Sequence, residues 1–335
     1  MSMEPKLGEF DLIRRFFSKR EASRRDPKVL LGIGDDAALL ELPRGTDLVA
    51  AVDTIVCGGH FLEGASARSI GHRALAVNLS DIAAMGATPA WATLALTMPE
   101  VDVSWLEEFS CGLLDLADEH GVELVGGDTT RGPLTVSVQV LGFVPPGTAL
   151  RRDGAAAGDL LVVSGTLGDA AAGLAFSKQR PAIPTADVAA LIRRFDYPSP
   201  RVRFGQAARG VASAAMDLSD GLIGDLPKLA QASGLAAHVD IEKLPLSAAM
   251  RGAVDPQQSR DWALAGGDDY ELLLAIAPES FPALERSADQ LNLTLTPIGE
   301  LHAGKGVTWS LNGKDFAPKV SGYDHFSRAS TQITV

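Results

Sequence analysis

The chain has only two cysteines, Cys57 and Cys111, in 335 residues. That is too few for a disulfide framework, and it suits a reducing compartment. Aromatic residues make up 6% against 46% hydrophobic overall, so the cores must be aliphatic and alanine-rich. No apolar run approaches the roughly 20 residues needed to cross a bilayer. The stretch MSMEPKLGEFDLIRRFFSKR lacks an apolar segment with a small-residue cleavage site. It reads as an amphipathic helix and not as a signal peptide, so a cytoplasmic location without a membrane is expected. Basic residues are also in short supply: 30 Lys and Arg face 42 Asp and Glu, a net charge of −12. That balance argues against a nucleic acid partner, which needs a basic footprint. The six histidines show no short metal-binding spacing, which speaks against zinc.

What the chain does have is aspartate in small-residue company. Six places carry it: GIGDD (Asp35, Asp36), AVDT (Asp53), NLSD (Asp81), GGDTTR (Asp128), MDLSDG (Asp217, Asp220) and GGDDYE (Asp268, Asp269). All six read as turns, most of them following short apolar runs. Single Asp turns are ordinary caps and loop formers. Six together are better explained by hard cations, which take oxygen ligands, and by a polyphosphate lying close to glycine backbone. Unrelieved carboxylates gathered in one place would repel strongly.

The length allows two domains, and Pro145-Pro146-Gly147 is the expected boundary, giving domains of residues 1–146 and 147–335. In the first, helices are expected over Glu9–Lys19, Ala65–Met85 and Trp105–His120, the last stopped by Gly121. Strands are expected over Val29–Ile33, Leu48–Val52, Trp91–Met98, Val122–Val125 and the cleanly alternating Leu134–Val144. In the second, strands are expected at Asp159–Ser164, Ala214–Leu218 and Tyr270–Ile276, with Leu295–Ile298 and Val307–Leu311 as a closing pair and helices between. This alternation gives an α/β or α+β class. LSD followed by GGD occurs in both halves, at nearly equal spacing from Asp81 to Asp128 and from Asp220 to Asp268. Duplication and chance reuse both account for it.

Two tempting motifs fail. Gly32–Ala37 matches a dinucleotide fingerprint, but Asp35 and Asp36 would face the pyrophosphate, and Pro43-Arg44-Gly45 leaves little room for a phosphate-binding helix. GELHAGKG at Gly299–Gly306 approaches a P-loop but ends in glycine where a hydroxyl is needed, so a hairpin turn is expected. His60 is open between a surface-loop histidine and a donor to an anionic substrate. Arg152 is open between a linker charge and a guanidinium that reaches a phosphate.

The ordered set GIGDDAALL, VDTIVCGGHF, AVNLSDIAAMGATPAW, GGDTTRGPL, MDLSDGL, GGDDYEL and GYDHF closely resembles the thiamine-monophosphate kinases, from about Gly8 to Phe326. They belong to a superfamily named after aminoimidazole ribonucleotide synthetase. The resemblance implies a two-domain α/β fold whose N-terminal domain forms a barrel across a homodimer, with residues 1–146 for ATP, magnesium and dimerisation and residues 147–335 completing the active site. It implies direct transfer of the γ-phosphoryl group of ATP to thiamine monophosphate, with several Mg²⁺. Carried over by position, Asp36, Asp53, Asp81, Asp128, Asp217 and Asp220, with the Val52 carbonyl, are implied metal ligands. Gly127, Asp128, Arg152 and Ser219 are implied at the ATP phosphates, and His60, Asp268 and Tyr323 at thiamine phosphate. Turnover is expected to depend most on Asp128, Asp217 and Asp220. Two departures stand out. Ala51-Val52 replaces a Ser-Thr pair of some relatives, and Asp268 stands where some relatives have Glu. Another ATP-dependent member of the superfamily and a non-catalytic nucleotide sensor are the alternatives. The sensor would be expected to have lost metal carboxylates, and none is missing at the matched positions.

Overall fold

Alternating valines make β6 (Thr135–Val144) the central strip of the first half: Val136, Val138, Val140 and Val144 are buried while Gln139 is exposed. The computed structural model describes residues 9–18, 26–179 and 183–323. The chain divides into two units, Met1–Ile82 with Thr88–Pro146, and Ala83–Ala87 with Gly147–Val335. Lys19 and the Asp324–Phe326 part of the GYDHF stretch lie outside the described residues.

In the first unit β6 pairs antiparallel with β3 (Asp47–Val56) and β4 (Thr88–Met98), and β4 runs parallel to β5 (Glu123–Arg131), in the order β3-β6-β4-β5. Helix α1 (Glu9–Phe16) and the short pair β1 (Val29–Leu31) and β2 (Leu39–Leu40) precede this sheet. Helices α2 (Ala67–Ala84) and α3 (Val103–His120) cross where Gly71 and Gly112 bring backbone to backbone; a Cβ on Gly112 would come within 2.0 Å of Arg68 O. Asp102 caps α3 through the Ser104 and Trp105 amides, and Gly121 ends it in the left-handed region, as its sequence signals indicate. Burial of α2 on most sides explains its weak amphipathicity: Leu75, Leu79 and Ile82 are all fully buried.

The second unit holds a seven-stranded sheet, β13-β12-β9-β11-β7-β10-β8. Its strands are β7 (Leu160–Ser164), β8 (Ala214–Asp217), β9 (Leu235–Asp240), β10 (Leu272–Ile276), β11 (Leu295–Ala303), β12 (Gly306–Leu311) and β13 (Lys314–Phe316). All neighbours are antiparallel except β12 with β9. The helices are α4 (Asp169–Gln179), α5 (Ala186–Asp196), α6 (Val202–Ala208), α7 (Leu222–Ala232), α8 (Ala248–Ala253), α9 (Pro256–Ala265) and α10 (Phe281–Asp289). Leu222, Leu226 and Leu229 of α7 and Ala263 and Leu264 of α9 join Leu161, Val163, Leu273 and Ala275 of the sheet in one core. β11 and β12 are not the expected hairpin pair, because β9 lies between them and pairs with both. No helix of the described residues is long and apolar enough to cross a membrane.

Candidate active site

The first unit positions its acidic residues by ladder register. Asp53, Val138, Leu94 and Gly127 form one row across the four strands, and Thr54, Ser137, Ala95 and Asp128 form the next. Asp53 and Asp128 are therefore interior strand residues, not turn residues as the small neighbours suggested, and Asp81 lies inside α2, within the helix expected over Ala65–Met85. The ladders run straight through the AVDT and GGDTTR segments. Gly127 makes this possible: its φ is 153°, and a Cβ there would lie 1.9 Å from Leu94 O. Asp53 and Asp81 hydrogen-bond through their carboxyls. Burial pushes Asp53 above the ordinary carboxylate range, while the Asp81 bond opposes that shift. His60 Nδ1 accepts the Val56 amide at 3.1 Å, which leaves Nε2 as the N–H donor of the neutral ring.

Asp128 is exposed, three strands from Asp53, about 14 Å at the usual strand spacing, and does not join the pair. Asp36 is exposed, its amide held by Asp35 Oδ1 at 2.8 Å, which gives Asp35 a bracing role. Cys57 pairs with Leu134 through its amide, whereas Val56 bonds away from β6 to the 59–60 loop. Antiparallel alternation then aims the Val52 N–H and C=O at the open edge of β3.

In the second unit Asp217 ends β8 and is buried. The SDG turn follows. Gly221 has φ 86°, and a Cβ on it would lie 2.7 Å from the Ala265 carbonyl carbon, so glycine lets this turn pack directly on the end of α9. Asp268 N donates to Ser219 O at 2.9 Å, Tyr270 N to Leu218 O at 2.9 Å, and Tyr323 N to Asp220 O at 3.1 Å. Ser219, Asp220, Asp268 and Tyr323 are thereby gathered around one turn. Asp268 and Tyr270 hold left-handed backbone, φ 69° and 51°, a strain that persists only where surroundings enforce it. Tyr270 Oη donates to Asp268 Oδ1 at 3.2 Å. Arg152 is exposed; its carbonyl accepts the Ser233 hydroxyl, and the adjacent Arg151 carbonyl accepts the Ala215 amide of β8.

Three buried acids that sequence reasoning passed over or left without a role support these turns. Asp225 Oδ2 accepts the amides of Ser219 and Asp220 at 3.0 and 2.9 Å. Asp269 accepts the amides of Gly168 and Ala170 at the start of α4, at 2.6 and 3.3 Å; burial pushes its carboxyl up to about 8 against those bonds and the Arg194 charge. Glu271, fully buried, takes Arg194 Nη2 at 2.6 Å, Ser164 Oγ at 2.6 Å and a two-pronged contact from Arg201. Arg194 also donates to Asp269 O at 2.8 Å. The only sequence signal for this support was the density of acids in GGDDYEL.

Among the described residues no three His, Cys, Asp or Glu side chains are already grouped to hold a metal. The donors nevertheless fit a hard divalent cation in kind. All are oxygens, the half-buried Asp53–Asp81 pair needs a proton or a cation between its carboxyls, and Asn78 Oδ1, one turn before Asp81 on α2, is buried without a hydrogen-bond partner. The LSD–GGD echo does not survive as structural equivalence: Asp81 lies inside a helix and Asp220 in a turn, Asp128 inside a strand and Asp268 in a left-handed loop residue.

Comparison with known proteins agrees along nearly the whole chain. Residues 34–144 match the AIR synthase related protein N-terminal domain, and residues 156–311 match its C-terminal domain. The thiamine-monophosphate kinase of Escherichia coli K12 is 47% identical over 96% of this chain and 98% of its own length. The crystal structure of the Stenotrophomonas maltophilia K279a thiamine-monophosphate kinase superposes with a TM-score of 0.85, at 48% identity over 92% of this chain and 98% of that one. AaThiL complexed with AMPPCP and TMP superposes with a TM-score of 0.76, at 33% identity over 97% of this chain and 100% of that one. This chain belongs to the thiamine-monophosphate kinase family.

Proposed function

We propose that this chain transfers the γ-phosphoryl group of ATP directly to thiamine monophosphate, giving ADP and thiamine diphosphate in thiamine diphosphate biosynthesis. The observation that carries the reading is the tie between the SDG turn and the GGDDYE and GY segments. The Ser219 and Asp220 carbonyls accept the amides of Asp268 and Tyr323, so nucleotide-side and acceptor-side residues are fixed to one another. Direct phosphoryl transfer needs little from a protein beyond such positioning and charge neutralisation. Its relatives support it: AaThiL binds AMPPCP and TMP together.

In this reading Asp36, Asp53, Asp81, Asp128, Asp217 and Asp220 hold magnesium, with the edge-facing carbonyl of Val52. The bound metal neutralises the charge of the polyphosphate. Gly127 and Ser219 offer backbone or hydroxyl donors to the phosphates, and Arg152 its guanidinium. His60 donates from Nε2 to the phosphate of thiamine monophosphate. Asp268, aligned by the Tyr270 hydroxyl, faces the cationic ring or amino group of the acceptor, and Tyr323 flanks a ring. Residues 1–146 carry most of the metal set and the dimer face; residues 147–335 carry the rest of the site. Homodimerisation is supported by β3, an edge strand whose Leu48, Val52 and Val56 are exposed at 49%, 63% and 38%, an apolar strip left uncovered among the described residues. A cytoplasmic location suits an ATP-consuming enzyme with two free thiols.

The test is a product assay with Mg-ATP and thiamine monophosphate, where one ADP should form per thiamine diphosphate. ADP release without thiamine diphosphate overturns the reading. Light scattering at micromolar concentration should give a dimer that Leu48→Glu weakens; a monomeric wild type refutes the shared face.

A further inference from the structure

Lys228 lies on α7, one turn beyond Asp225, and its ammonium touches two carboxylates of different character. It donates to Asp225 Oδ1 at 2.8 Å and to Asp220 Oδ2 at 2.7 Å. The Asp225 side chain is 1% exposed, that of Asp220 30% and that of Lys228 45%. Asp225 spends its other oxygen on the amides of Ser219 and Asp220, so the buried carboxylate needs a cation near it whatever else is bound. Asp220 has no such need, because water reaches it. The two contacts are therefore unequal. The first anchors the brace of the SDG turn, and the second places a monovalent cation on an oxygen assigned above to magnesium.

We propose that Lys228 is a positioning residue that occupies Asp220 until the divalent cation arrives, then swings off that carboxylate while remaining on Asp225. The inference rests on the reading of Asp220 as a metal ligand. Lysine is suited to such an exchange, since its ammonium is a point charge on a flexible four-carbon stem, able to leave one partner and keep the other, whereas a guanidinium fork would grip both. The occupied state keeps Asp220 from repelling an incoming polyphosphate before metal is present. Its consequence is a metal site at Asp220 that is weaker than its oxygens alone would make it.

The experiment is Mn²⁺ titration of the full-length protein by calorimetry and electron paramagnetic resonance, with and without a non-hydrolysable ATP analogue. Each variant is checked for folding by thermal melt. Asp220→Asn should remove one Mn²⁺ site. Lys228→Met should tighten that site by roughly 3- to 10-fold, the size expected for removing a like charge beside a partly exposed carboxylate, and the gain should vanish in the Asp220→Asn background. Lys228→Arg should weaken the same site. A purely structural lysine would give the opposite order, with Arg near wild type and Met weaker through loss of the turn. If Asp220→Asn removes a site but Lys228→Met leaves its affinity unchanged or lower, the inference fails and the metal assignment stands. If Asp220→Asn removes no site, both fall.

Discussion

The acidic residues of the two units are held in place by different means. Asp53, Asp81 and Asp128 sit at interior positions of β3, α2 and β5, and their places follow from ladder register and helix packing. Ser219, Asp220 and Asp268 sit outside regular structure, joined by a few backbone bonds and braced by Asp225, Asp269 and Glu271. A ladder spreads its stability over many bonds, so a carboxylate riding on it can be neutralised with little effect on the fold. A clamped turn with left-handed Asp268 and Tyr270 rests instead on a few buried charges. Changes in the first set should therefore separate activity from stability, and changes in the second should not.

The largest effect expected is on catalysis alone. Asp128→Asn should lower kcat/KM by about 100- to 1,000-fold, the range found when one preorganised electrostatic group is lost. Because Asp128 is exposed, the melting temperature should stay within about 2 °C. A near-normal rate would remove Asp128 from the chemistry, and a large fall in melting temperature would erase the contrast between the units.

Glu271→Gln should show the opposite behaviour. It strands the partly buried Arg194 and Arg201 beside a neutral group at the fully buried position of Glu271. Breaking a buried pair from one side costs about 3–5 kcal/mol, read as a lower urea midpoint at unchanged slope. Because Arg194 also holds the Asp269 carbonyl, KM for thiamine monophosphate should rise in the same variant. A loss below about 1 kcal/mol would mean that the turn is held elsewhere.

These contrasts explain what could be read from the chain in advance. Features whose cause is local were legible: the Gly121 stop of α3 and the alternation of β6. Features whose cause lies far along the chain were not. β9 begins at Leu235, just after Ser233-Gly234, and shows only a short apolar pattern; its strand character comes from β11 and β12 on either side. Asp53 and Asp128 looked like turn residues because the ladders that extend through them belong to β6 and β4. Asp225 and Lys228 had no motif of their own, and Glu271 showed only as one more acid in GGDDYEL, since each acts on a partner that only folding supplies.

A smaller effect should separate the buried acids by pH. Asp269 is held near 8 in the fold against about 3.9 in an unfolded chain, so the native state keeps a proton that the unfolded state releases. Its contribution is fully present below about pH 4 and is lost as pH rises through about 8, each pH step between those limits costing up to about 1.4 kcal/mol. Asp269→Asn stays neutral throughout and should lack this slope. Thermal melts from pH 5 to pH 8.5 should show the wild type losing ground steadily to the variant. Parallel profiles would show that the two amides and Arg194 keep Asp269 ionised.

The smallest effect concerns reach. Asp268 stands where some relatives have the longer Glu, and its carboxylate is aligned by the Tyr270 hydroxyl at 3.2 Å. Asp268→Glu extends the side chain by one methylene, about 1.5 Å, without touching the backbone bond to Ser219. If the acceptor lies just beyond the shorter carboxylate, KM for thiamine monophosphate should fall about two- to fivefold with kcat unchanged, the signature of uniform binding. Left-handed backbone favours Asp over Glu, so the melting temperature should drop by about 1 °C. A rise in KM would give the opposite reading. Alignment by Tyr270 would then matter more than reach, and Tyr270→Phe in the wild-type background should raise KM by the same factor.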